Sequence, residues 1–222
     1  MDALEAIRLR RSVRRYTSRP VADADLDRLL RLALLAPTGS MAQAWSLIVV
    51  RDPEKRRALA DIVISGGAAY FASVRRPAEG VGPEEHAQWA RDYAAEVMGT
   101  YPDVPVWIVA LRVPRRIFPP GQEEYERIAD LLSIGFAMEN LFVAARALGL
   151  GTVPVVFHWY REEELRSLLD IPAEYEIPVI TPLGYPVEFP SGLPPALARI
   201  RRPWRTLVHD DRWGNPRQQL ER

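Results

Sequence analysis

Two groups of arginines stand at opposite ends of the sequence. Arg8, Arg10, Arg11, Arg14, Arg15 and Arg19 lie in the first twenty residues, and Arg199, Arg201, Arg202 and Arg205 lie near the end. A planar guanidinium can hold two oxygens of a phosphate or carboxylate at once. The chain nevertheless carries 29 basic and 29 acidic residues, so its net charge is zero. A uniformly basic surface suits a polyanion. Local clusters on a neutral chain suit one small, fixed anion such as a cofactor phosphate. If both clusters serve one anion, the first and last segments must meet, within a subunit or across a dimer. In Arg10 to Tyr16 (RRSVRRY), guanidinium and hydroxyl donors follow a helix end and can face one ligand. A basic run is also compatible with plain solvated surface.

Two further segments could present backbone donors. Ala36 to Trp45 (APTGSMAQAW) holds Thr38, Gly39 and Ser40, a short polar loop with hydroxyls and N–H groups, followed by Gln43. Ala145 to Phe157 (ARALGLGTVPVVF) leaves a long apolar helix at glycine and re-enters a strand through Thr152 and Pro154. That strand edge would expose the amides of Val156 and Phe157. Taken singly, each segment can also be read as an ordinary helix-to-strand connection, with Trp45 in the core.

The elements that must position these residues follow from periodicity and punctuation. Residues 2–10 predict a short helix capped by Asp2, and residues 12–20 a loop that ends at Pro20. Asp23 is placed to cap a helix with Leu26, Leu29, Leu30 and Ala33 on one face, stopped before Pro37. Residues 46–50 and 106–111 read as buried strands. Asp52 and Pro53 open a third helix. Between 66 and 104, Gly66, Gly67, Pro77, Gly80, Gly82 and Pro83 break the pattern, with one helix over 84–98. This segment is expected to be mobile or to cover substrate. Residues 123–148 predict the longest helix, apolar on most sides and central to the core, ended by Gly149 and Gly151. A strand over 153–157, a helix over 161–171 and a strand over 177–186 follow. Beyond Pro186 the chain reads as an extended, proline-rich arm. Irregularly interleaved helices and strands indicate an α+β layer fold in a single domain spanning 1–222.

Composition removes several classes of function. There is no cysteine, so disulfides, thiolate nucleophiles and the usual structural zinc sites are excluded. The three histidines, His86, His158 and His209, are scattered. Zero net charge and the absence of a known binding motif argue against nucleic acid. The N-terminus does not read as a signal peptide, and the stretch from Leu131 to Ala145 contains Glu139 and Asn140. No membrane span is expected, and a cytoplasmic location is.

The order of these segments resembles the FMN-dependent nitroreductase family over nearly the whole length. The resemblance rests on RRSVRRY, APTGSMAQAW, the MENLFVAARALGLGT helix exit, LLDIP, LGYP and the closing RIRRPWRTLVHDDRWG. It implies an α+β fold with a mostly antiparallel sheet flanked by helices. It also implies an intertwined homodimer, with residues 187–222 reaching onto the partner and FMN at the interface. By motif position, Arg10, Arg11, Ser12 and Arg14 would hold the flavin, with Arg14 near its N1 edge. Arg199 and Arg201 would meet the phosphate. Pro37, Thr38, Gly39, Ser40, Met41 and Gln43 would come from the partner subunit. Pro154, Val155, Val156 and Phe157 would line the N5 edge through their backbone, with no side-chain acid or base required. The implied activity passes hydride from NADPH or NADH, through the flavin, to a nitroaromatic, quinone or activated alkene.

Three departures from the family pattern bear on the acceptor. Met41 stands where asparagine is frequent, and Gln43, Ala44 and Trp45 where QPW is common. Val156 and Phe157 replace an acidic residue and glycine, which suggests a narrower, more apolar pocket. Specialised branches of the family remain alternatives: reductive dehalogenation, flavin-consuming oxygen chemistry, or a non-catalytic FMN-binding sensor.

Overall fold

A computed structural model of the chain describes residues 1–193 and 195–217. They fall into two compact units, Met1–Phe189 and Pro190–Arg222. The first unit is built on a four-stranded antiparallel sheet. Its strands are β1 (Trp45–Val50), β2 (Val106–Arg112), β3 (Gly151–Thr152) and β4 (Glu176–Gly184), in spatial order β1-β2-β4-β3. This is the expected α+β architecture.

β2 explains the layering. All seven of its residues are buried, and alternate side chains point to opposite faces. Val106, Ile108 and Ala110 pack on one face with α2 (Asp23–Ala33) and α5 (Glu123–Ala147). Trp107, Val109 and Leu111 pack on the other, with α3 (Pro53–Val74), α4 (Pro83–Met98) and α6 (Glu162–Leu169). A strand covered on both sides reads as a continuous apolar run, as VWIVAL does. One buried ionic link fastens this end of the sheet to α5. Arg112 donates through Nε to Asp130 Oδ2 at 2.9 Å and through Nη1 to Glu176 Oε1 at 2.7 Å. Burial raises the Asp130 pKa in spite of that pairing.

Several helix ends follow the sequence reading closely. The Asp2 carboxylate accepts from Glu5 N at 2.8 Å and opens α1 (Ala3–Leu9). Asp52 accepts from Glu54 N and Lys55 N, with Pro53 in the first turn of α3. α5 closes with Gly149 at φ 77°; Leu150 N donates to Ala145 O and Gly149 N to Arg146 O. This pair of bonds is the glycine-capped helix end that the sequence anticipates.

Other expectations are corrected. Asp23 does not cap α2: the cap is Ala22, without a side-chain bond, and Asp23 is the first helical residue, paired with Arg51. Gly66 and Gly67 do not break α3, which runs unbroken for 22 residues. The segment 66–104 is therefore mostly two helices, α3 and α4. Tyr101 is a core residue, edge-on to Trp107 at 5.4 Å. The strand foreseen over 153–157 is not formed: β3 ends at Thr152, and within 153–157 only an isolated bridge joins Val155 to Ile180. Residues Phe157–Arg161 form a 3-10 turn instead.

α5 is not buried on most sides. Tyr125, Ile128, Leu132 and Phe136 form an exposed apolar stripe along it. By length and composition alone α5 passes for a bilayer-crossing helix. Its seat against α2 and the sheet accounts for the same apolar content. The second unit is not wholly extended: it contains the short helix α7 (Pro195–Ile200) and a 3-10 turn at Trp204–Thr206.

Candidate functional site

The N-terminal arginine segment is held by main-chain bonds at the β3 edge. Ser12 bridges Thr152 in parallel, and Val13 N donates to Thr152 O at 3.0 Å. Val13 is buried so tightly against Gly151 that a Cβ there would lie 2.8 Å from three Val13 carbons. Tyr16 is buried as well. Its hydroxyl donates to Val13 O at 2.6 Å, and its N–H donates to Thr100 Oγ1 at 3.0 Å. Thr17 N then donates to Tyr185 O, and Val187 N to Arg15 O. With Val13 and Tyr16 pinned inward, the side chains of Arg14 and Arg15 are left exposed.

Three of the four arginines of this segment differ in what they meet. Arg11 Nη1 is turned back onto the C-terminal end of α1, donating to Arg8 O at 3.0 Å and Arg10 O at 2.8 Å. Arg10 Nη2 meets Glu139 Oε1 at 3.2 Å, while its Nε is buried with no partner. Among the described residues Arg14 makes no ion pair, so its charge is uncommitted. That charge opposes the burial that raises the Tyr16 and Tyr101 hydroxyl pKa values.

The exit from α5 reaches the same edge. After Thr152 the chain passes Pro154, and Val155 N donates to Ile180 O at 2.9 Å, the bond being returned at 3.1 Å. Val156 then leaves the ladder, with its side chain partly exposed. Among the described residues, the N–H groups of Val156 and Phe157 have no hydrogen-bond partner. Two unpaired adjacent amides form a donor set for an anion or a polarised heteroatom. The Phe157 ring does not enter this space. It packs within the core against Tyr70 at 5.2 Å and Phe71 at 5.6 Å, centroid to centroid. His158 is fully buried, with Nε2–H donating to Ile177 O at 2.9 Å, and holds the turn rather than lining a pocket.

The segment 37–43 lies elsewhere on the chain. Gly39 N donates to Ser133 Oγ at 3.4 Å, and Thr38 Oγ1 accepts from Gln43 N at 3.0 Å. Ser40, Met41 and Gln43 all have positive φ, near 50°, and Met41 is 76% exposed. Non-glycine residues bear a cost in this conformation, so the loop is held open in a strained, projecting form. It rests on α5 at Ser133, whereas Arg10 reaches α5 at Glu139. Those positions are separated by roughly 9 Å of helix. One chain thus bonds the segment holding Arg10, Arg11, Ser12 and Arg14 to Thr152, on the strand that leads into Pro154, Val155, Val156 and Phe157. It leaves Pro37, Thr38, Gly39, Ser40, Met41 and Gln43 apart from them.

Arg199 and Arg201 belong to the second unit. Both are exposed, and the Arg201 guanidinium faces the Trp204 ring at 5.7 Å. Two clefts, of about 740 and 540 Å³, lie between α3 and α6 and beside α5. Neither is lined by the arginine segment or the Val156 amides. The sequence reading missed Thr100, which accepts from Tyr16 N, and Gly66, which touches Phe157. Paired glycines within the apolar run IVISGGAAYF are a signal of close approach, and they were read as a break.

Known proteins resemble the chain in sequence and in fold. The sequence profile described as "Nitroreductase family" matches residues 7–185. The chain is 30% identical to "NADH dehydrogenase" of Thermus thermophilus, covering 86% of this chain and 91% of that one. It is 31% identical to "Putative NADH dehydrogenase/NAD(P)H nitroreductase" of Methanothermobacter thermautotrophicus, covering 86% and 81%. Its fold resembles the crystal structure of nitroreductase A from Vibrio parahaemolyticus, with a TM-score of 0.71, 22% identity, and coverage of 98% and 79%.

Proposed function

The chain belongs to the nitroreductase family, and from that premise we propose that it is an FMN-dependent oxidoreductase. It transfers hydride from NADH or NADPH to an oxidised organic acceptor such as a nitroaromatic, a quinone or an activated alkene. One observation carries this reading: the Val156 and Phe157 amides, unpaired among the described residues, follow the strand edge at which the backbone just before Arg14 is bonded to Thr152. FMN supplies the hydride chemistry, alternately accepting and donating two electrons at N5.

The residues present fit that group. A phosphate dianion needs several charge-assisted donors. Arg10 retains a buried, unpartnered Nε. By motif position Arg199 and Arg201, in the second unit, are further candidates for the phosphate. Arg14 would stabilise negative charge on the N1 side, and the Val156 and Phe157 amides would orient the N5 edge. No side-chain acid or base is asked to move a proton, in keeping with the burial of His158.

A second copy of the chain completes the site in this reading. The exposed stripe of α5 runs from Tyr125 to Phe136; Glu139, the partner of Arg10, lies one turn beyond it on the same face, and Ser133, the contact of loop 37–43, to one side. Contiguous exposed apolar surface of this kind marks an association face. Docking two copies through it would carry Pro37, Thr38, Gly39, Ser40, Met41 and Gln43 of one toward the arginine segment of the other.

Arg14→Ala tests the cofactor assignment. A lost hydrogen bond to a charged group is worth about 1.5–3 kcal/mol, so the FMN dissociation constant should rise about tenfold or more. Fluorescence titration of the apoprotein with FMN measures it. A constant equal to that of the wild type would remove Arg14 from the site.

A further inference from the structure

Gly66 and Gly67 lie deep inside α3, both buried, where each glycine costs about 1 kcal/mol relative to alanine. The space around them shows what they permit. A Cβ on Gly66 would overlap the Phe157 carbonyl oxygen and lie 2.9 Å from its carbonyl carbon. A Cβ on Gly67 would meet the terminal methyl of Met98, the free end of a flexible side chain, and Phe157 Cδ2 at 3.3 Å. The first obstacle is backbone and cannot step aside. The second can.

The same turn is gripped from the opposite side. His158 Nε2–H and Trp159 Nε1–H both donate to the Ile177 carbonyl of β4, at 2.9 and 3.0 Å. Trp159 N donates to Val156 O at 3.1 Å, and Val155 is laddered to Ile180. The peptides from Val155 to Trp159 are therefore clamped between α3 and β4. The unpaired N–H groups of Val156 and Phe157 lie within that clamped stretch. A hydrogen bond weakens steeply once its angle departs from linearity, so the tilt of these peptides decides how well both amides serve one acceptor.

We infer that Gly66 is a positioning residue: its missing side chain lets α3 seat the 156–157 turn so that the two amides converge on one ligand atom. This rests on the reading above that the ligand atom is N5 of FMN. The Phe157 amide and carbonyl lie in successive peptides joined at one Cα; with Val155 and His158–Trp159 held to β4, a shift of the carbonyl is passed on to the amide. Gly67 sits one position further along the same helix, against side-chain atoms alone, and does not set the turn.

The test compares Gly66→Ala, Gly67→Ala and wild type, each loaded with ¹⁵N-labelled FMN. The N5 and N1 resonances are recorded, together with FMN affinity and the rate of flavin reduction. Gly66→Ala should displace the N5 resonance while leaving N1 and FMN affinity near wild type. Its reduction should slow about tenfold or more, as misplacing a reacting group does. Gly67→Ala should keep the wild-type N5 resonance. If Gly66→Ala does not fold, Trp159→Phe loosens the β4 side and should move N5 in the same sense by less. An unmoved N5 in the folded variant, or an equal displacement in Gly67→Ala, would overturn the proposal. Failure of the wild-type protein to bind FMN would instead overturn the functional reading itself, and the clamp with it.

Discussion

His158 shows how much a neighbour's position in sequence can mislead. It follows Phe157 directly, yet it is sealed in the core with Nδ1 unpartnered and Nε2–H on Ile177 O. Burial holds its pKa below the ordinary 6.5, opposed by the Ile177 bond and by Glu162. The sign of the consequence is definite. Above the unfolded pKa both states are neutral and His158 adds no pH dependence. As pH falls below it, the unfolded chain takes up a proton that the folded chain refuses, so stability drops. His158→Gln keeps a donor for Ile177 and cannot titrate. Urea unfolding between about pH 7.5 and 5.5 should show wild type losing stability faster than this variant below about 6.5. Parallel pH profiles would mean that His158 is protonated inside the fold. At this scale the arginine segment was legible, because its charges have few uses on a neutral chain. The different fates of Arg10, Arg11 and Arg14 were not. They depend on Glu139 and on the end of α1, which no spacing rule connects to them.

Among the elements, α5 was read correctly in period and length and wrongly in surroundings. Apolar residues on most sides of a helix imply cover on most sides, but one chain covers only the face toward α2 and the sheet. Leu132 and Phe136, 56% and 49% exposed, are the residue of that mismatch. If the stripe is the seat of a second copy, Leu132→Glu places a charge where the two helices meet. Such a change at an interface centre costs about 2 kcal/mol or more, or about a thirtyfold weaker association. Sedimentation at micromolar concentration should show wild type as a dimer and the variant shifted to monomer. Identical sedimentation of the two would place the interface elsewhere. The glycines of α3 and the strand after Pro154 failed for a related reason. Gly66 fits the backbone of a residue ninety positions away, and the Phe157 ring turns toward α3 instead of continuing a ladder. Local propensity carries no record of either contact.

At the scale of the whole molecule, the antiparallel sheet with helices on both faces puts its two chemically distinctive backbone segments on one edge. The loop at 10–17 is bonded to β3 at Thr152, and three residues later the chain enters the turn at 155–159. Zero net charge leaves local donors, and no long-range field, to choose the ligand. The account stands on flavin at that edge, reducible by nicotinamide. The measurement that meets it most directly is the visible absorption spectrum of the purified protein, recorded anaerobically before and after addition of NADPH and, separately, NADH. A flavin band that bleaches with at least one nucleotide is the predicted result. A protein that shows no flavin band even after incubation with FMN, or a bound flavin that neither nucleotide reduces, would contradict it.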